Sequence, residues 1–94
     1  NGFQTNFFIE TISNDTKGTL GGVHRAAQEG VDIYAYMFEH PFRIFFLDVN
    51  KAKTVVDNAV ASDQYRKCRI RNRFYHTEGY PLPIELFKDC FTHI

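Results

Sequence analysis

Asp32-Ile33-Tyr34-Ala35-Tyr36-Met37-Phe38-Glu39-His40-Pro41-Phe42-Arg43-Ile44-Phe45-Phe46-Leu47 is the stretch that decides the fold. Tyr34, Tyr36 and Phe38 alternate against Ile33, Ala35 and Met37, which is the period of a β-strand. Pro41 cannot continue a ladder, so Glu39-His40-Pro41 reads as a turn. Phe42 to Leu47 then forms a second strand. It is apolar on both faces except at Arg43, which predicts a central strand covered on each side. The short connection makes the pair an antiparallel hairpin.

Downstream, Ala52, Val55, Val56, Ala59 and Val60 fall at helical spacing and predict an amphipathic helix over 50–61. Asp48 or Asn50 supplies its N-cap oxygen. Residues 66–75 read as a further strand, and His76 to Leu82, with Gly79 and Pro81, as a turn. A last helix is expected from about 83 to 93, opened by Pro83 and buried through Ile84, Phe87, Phe91 and Ile94. Upstream, 3–13 is rich in strand formers, including Phe3, Phe7, Phe8 and Ile9. Ser13 to Gly22 reads as a polar, glycine-rich loop, and 22–29 as a short helix through Val23, Ala26 and Ala27. Helices alternating with strands predict one α/β domain over 1–94, built on a mixed sheet of about four strands flanked by helices.

Composition bounds the function classes. Ninety-four residues, 44% apolar and 16% aromatic, suit one packed domain rather than a disordered chain. The longest run of large apolar side chains, Ile44 to Leu47, is far short of a membrane span. No secretory leader is recognised, and Asn14-Asp15-Thr16 is discounted as a glycosylation acceptor; a cytoplasmic location is expected. Cys68 and Cys90 are read as buried thiols in a reducing compartment. They and the scattered His24, His40, His76 and His93 lack zinc-ligand spacing.

Formal net charge is zero, but its distribution is uneven. Residues 1–40 carry five acids against two bases, a net of −3, whereas 66–73 carry Arg66, Lys67, Arg69, Arg71 and Arg73, a net of +5. At strand period Lys67, Arg69, Arg71 and Arg73 share one face, roughly 6.6 Å apart. Tyr65 and Tyr75 bracket them and offer rings for base stacking. Nucleic acid or another polyanion is the favoured partner, ahead of an edge strand protected by charge and a protein partner. Four phosphate contacts would give a salt slope of about −3 to −4.

Glu10, mid-strand between Phe8 and Ile12, is costly to bury unpaired. It reads either as an exposed or Arg-paired carboxylate or as a metal-binding or general-base acid. Phe7-Phe8-Ile9-Glu10-Thr11-Ile12-Ser13-Asn14, the 30–36 and 42–48 strands with their following helix, and Tyr80-Pro81-Leu82-Pro83-Ile84 together resemble the PD-(D/E)XK restriction-endonuclease-like superfamily, in particular its small phage and bacterial members. The resemblance runs over about residues 7–94. It implies a metal-dependent phosphodiesterase in which two acids hold Mg²⁺ and a Lys two residues after the second acid helps activate water. Glu10 matches the second acid. Ile12 stands at the Lys position, and no acid precedes Glu10 in this sequence. Asp15, as a metal ligand, and Lys17, as the catalytic base-activating cation, are the nearest substitutes if their loop folds back. Two classes follow. One is a Mg²⁺-dependent nuclease whose first acid comes from upstream residues or a second subunit of a homo-oligomer. The other is a catalytically inactive nucleic-acid or protein-binding module that keeps the fold.

Overall fold

Phe7 and Ile9 alternate with Phe8 and Glu10 along the first strand, and only Phe7 and Ile9 are fully buried. That alternation sets the architecture of the computed structural model, which describes residues 5–92. The elements are β1 (Asn6–Asn14), β2 (Thr19–Leu20), α1 (Gly22–Gln28), β3 (Ile33–Glu39), β4 (Phe42–Asp48), α2 (Val49–Ala61), β5 (Cys68–Arg71) and β6 (His76–Pro83), then a single 3₁₀ turn at Ile84–Phe87. The fold is α/β, as expected. Phe3 and Ile94, assigned above to the first strand and the last helix, lie outside the described residues.

The expected mixed sheet is corrected. Four strands pair in the order β2-β1-β6-β5, all antiparallel, and β3-β4 forms a separate two-stranded hairpin. Phe42–Leu47 is therefore not a central strand. One face of the hairpin, Tyr34, Tyr36, Phe38, Phe45 and Leu47, packs on the core. The other exposes Ile33, Met37, Phe42 and Ile44, with Phe42 65% accessible. Apolar residues on both faces of a strand did not mean cover on both faces.

The expected turn at 76–82 is also corrected, because it is β6, a central strand. Its prolines are tolerated for a geometric reason. The Phe8 N–H points away from β6 and donates to the Tyr36 hydroxyl at 2.8 Å, so Phe8 and Pro81 face each other as a non-hydrogen-bonded pair. Pro81 and Pro83 thus lack an N–H only on the β5 side, where pairing has stopped at Cys68↔Gly79.

The expected final helix is reduced to the 3₁₀ turn. Beyond it the backbone binds the free edge of β4 instead: Asp48 N–H donates to Cys90 O at 2.8 Å and Thr92 N–H to Phe46 O at 2.9 Å, with Phe91 bridging Leu47. These bonds satisfy an edge that would otherwise be open.

α2 forms as expected. Asp48 caps it, accepting from the Lys51 N–H at 3.0 Å, and Val49, Ala52, Val56 and Ala59 are buried. Val55 is partly buried and Val60, expected in the stripe, is exposed. The core joins Phe7, Ile9, Val23, Leu47, Val56, Leu82, Phe87 and Cys90. No helix among the described residues is long and apolar enough to cross a membrane.

Candidate nucleic-acid interface

The basic run folds as a short edge strand and a loop. β5 covers only Cys68–Arg71, pairing with β6 through Arg69↔Glu78 and Arg71↔His76, and residues 72–75 form the hairpin tip. Asn72 N–H donates to Tyr75 O at 2.8 Å and closes the loop. The Asn72 side-chain amide donates to Thr77 Oγ1 at 2.9 Å, and the Thr77 hydroxyl donates to Ser13 O at 3.0 Å. The tip is therefore tied to β1 through a buried threonine.

The four cations separate into two pairs. Arg69 Nη2 donates to Asp15 Oδ2 at 2.8 Å, and its Nε lies 3.4 Å from Glu78 Oε2. Lys67 Nζ lies 3.4 Å from Glu78 Oε1. Directly opposed charges on paired strands attract, so β5 is held to β6 and to the turn after β1. Arg71 and Arg73 form no ion pair among the described residues, and both are exposed. The guanidinium of Arg73 instead lies 5.2 Å from the centre of the Phe74 ring. Phe74 is 80% accessible. Asp15, Thr16, Arg71, Asn72, Arg73, Phe74, Tyr75 and His76 line a cavity of about 280 Å³ at this tip.

Asp15 is consumed by this arrangement. Besides Arg69, its Oδ1 accepts the His76 backbone N–H at 2.9 Å. That backbone bond first, and Arg69 second, hold its carboxyl below the usual aspartate range. Both oxygens are engaged, so Asp15 is a strut of the hairpin.

Glu10 lies elsewhere. The stretch 13–22 is not an open loop, because Thr19 and Leu20 pair back onto Asn14 and Ile12. Gly21 then lies directly over the Glu10 carboxylate, where a Cβ would collide with Oε1, and a Cβ on Gly22 would strike the Glu10 carbonyl. Gly22 also has φ +54°, in the left-handed region, as α1 begins. The half-buried carboxylate faces Tyr34, whose phenol is raised above its ordinary value mainly by burial and next by the Glu10 charge. Lys17 is exposed in the turn after β1, with its backbone N–H on Asn14 Oδ1 at 3.2 Å. Among the described residues no three His, Cys, Asp or Glu group as metal ligands. Asp15 is engaged by Arg69 and the His76 N–H, Lys17 is exposed in the turn, and Glu10 lies under Gly21, so the fold does not gather these three residues at one point.

No family model, curated protein or solved structure matches this chain. Nothing in these comparisons identifies the restriction-endonuclease-like superfamily, and the site stands on its own geometry.

Of the sequence-predicted interface residues, Arg71, Arg73 and Tyr75 come together at the tip, whereas Lys67 and Arg69 are tied down on the strand. Tyr65 packs against the core instead of flanking the cations. Phe74 was missed, because strand alternation continued through 75 puts it on the face opposite the arginines. The strand ends at Arg71, so alternation has no force there. The signal available was the polar Asn72 breaking the run before two aromatics.

Proposed function

We propose that this domain is a nucleic-acid-binding module that grips phosphates with Arg71 and Arg73 at the β5–β6 tip. The observation that carries this reading is the division of the basic run. Glu78 and Asp15 neutralise Lys67 and Arg69, and among the described residues Arg71 and Arg73 at the tethered loop, like Arg66 ahead of β5, have no ion-pair partner. Guanidinium groups with no internal carboxylate are well suited to phosphate oxygens. Charge protection of an edge accounts for Lys67 and Arg69. It does not account for Arg73, which lies beyond the last ladder pair, Arg71↔His76. The two unpaired thiols, Cys68 and Cys90, support a reducing compartment such as the cytoplasm.

Two phosphate contacts, not four, set the expected salt dependence. Log K should fall with log salt at a slope of about −1.4 to −1.8. In anisotropy titrations with a labelled oligonucleotide, Arg71→Ala/Arg73→Ala should bring that slope near zero. Lys67→Ala should leave it almost unchanged. Wild-type affinity and slope in the double variant would refute the assignment. Mg²⁺-dependent cutting of the oligonucleotide that Glu10→Gln abolishes would return the nuclease reading.

A further inference from the structure

We infer that the ligand is single-stranded nucleic acid and that Phe74 stacks on one of its bases. This rests on the phosphate-binding reading of the same tip and specifies what is bound there. Phe74 presents 80% of its surface to water beyond the end of the strand. An aromatic ring at that position contributes nothing to the core. Its value lies in the flat face that it offers. The Arg73 guanidinium lies against the ring at 5.2 Å from its centre, so one short segment carries a cation for phosphate and a ring for the attached base. A base inside a duplex has both faces covered by its neighbours, whereas an unpaired base can leave the stack and meet a protein ring. A duplex could use the arginines but not Phe74.

The surroundings agree. The cavity beside the ring has Thr16, Asn72 and His76 in its lining, groups that can meet the polar edge of a base, beside Asp15, which Arg69 and the His76 N–H hold in place. The same groups make the tip a poor membrane wedge, because inserting Phe74 would draw the Asp15 carboxylate toward hydrocarbon. The hydrogen bonds from Asn72 to Tyr75 and to Thr77 hold the loop in shape before any ligand arrives, which lowers the entropy lost on binding.

The chain has no tryptophan, so Phe74→Trp places a single reporter at the tip. The variant is titrated at low salt with a 12-nucleotide single strand, with the blunt duplex of the same sequence, and with phosphatidylserine–phosphatidylcholine vesicles. The single strand should quench the indole and bind at least tenfold more tightly than the duplex. Phe74→Ala should bind the single strand about 5- to 100-fold more weakly. Its thermal midpoint should match wild type, since the lost ring was exposed. Equal affinity for both nucleic acids without quenching would overturn the stacking assignment and leave phosphate binding by Arg71 and Arg73 intact. No binding of either nucleic acid would overturn both assignments. A blue shift with vesicles and no response to nucleic acid would also overturn both and make the tip a membrane contact.

Discussion

Phe7→Ala should cost the domain about 3–5 kcal/mol, the range for emptying a fully buried aromatic site. The expected effect is large because of where the ring sits. Phe7 is wholly inaccessible, and its centroid lies 4.6 Å from Tyr36, 5.3 Å from Phe45, 5.4 Å from Phe87 and 6.0 Å from Phe38. These partners belong to the β3–β4 hairpin and the 3₁₀ turn, whereas Phe7 belongs to the four-stranded sheet. The two sheets share no strand pairing, so packing of this kind holds them together. A domain of this size has only about 5–15 kcal/mol of stability in total, and the variant should be largely unfolded in modest urea. A urea midpoint within experimental error of wild type would show that Phe7 does not join the sheets.

Val56→Asp should destabilise by a comparable amount, about 3–5 kcal/mol, for a different reason. Val56 is fully buried on α2 within the apolar core, and its neighbours there, including Val23 and Leu47, bring no cation to it. A carboxylate at this site must either stay charged without a partner or take up a proton, and both are costly. Val60→Asp, one turn further along the same helix, should change stability by less than about 0.5 kcal/mol, because Val60 is 38% accessible. Similar losses at both positions in thermal melts would mean that α2 packs through a wider face than described.

The contrast between Val56 and Val60 shows what the sequence could and could not reveal. Periodicity located α2 and its cap, because local hydrogen bonding by Asp48 and a repeating apolar stripe are properties of adjacent residues. It could not fix where the stripe ends, which depends on the elements packed against the helix. β3 was legible from alternation, and β1 and β4 from their runs of strand-forming apolar residues. β6 was not, since Gly79, Pro81 and Pro83 look like punctuation until the hydrogen-bonded edge of each residue is known. The last helix failed for a related reason: only the folded chain shows that residues 90–92 meet an open edge of β4.

At the candidate site the basic run was plain in the sequence, but its division was not. Arg69 meets Asp15 across 54 positions of chain, and no spacing rule connects them. Of the acids that remove Lys67 and Arg69 from the reckoning, Asp15 is distant in sequence and Glu78 stands on a segment that reads as a turn, so four cations at strand period looked equivalent. Glu10 looked chemically conspicuous for the opposite reason. Its neighbours in sequence are apolar, and the groups around it, Gly21 over the carboxylate and the Tyr34 phenol that feels its charge, come from later in the chain.

The most direct test of the central claim, that the β5–β6 tip is a nucleic-acid interface, is amide chemical-shift mapping. The ¹⁵N-labelled domain is titrated at low salt with the 12-nucleotide single strand. The largest shifts should fall at the amides of residues 71–76 and at the side-chain Nε–H groups of Arg71 and Arg73, with little change along β3 and β4. Shifts centred on the exposed face of Ile33, Met37 and Ile44, or none at the tip under saturating oligonucleotide, would contradict it.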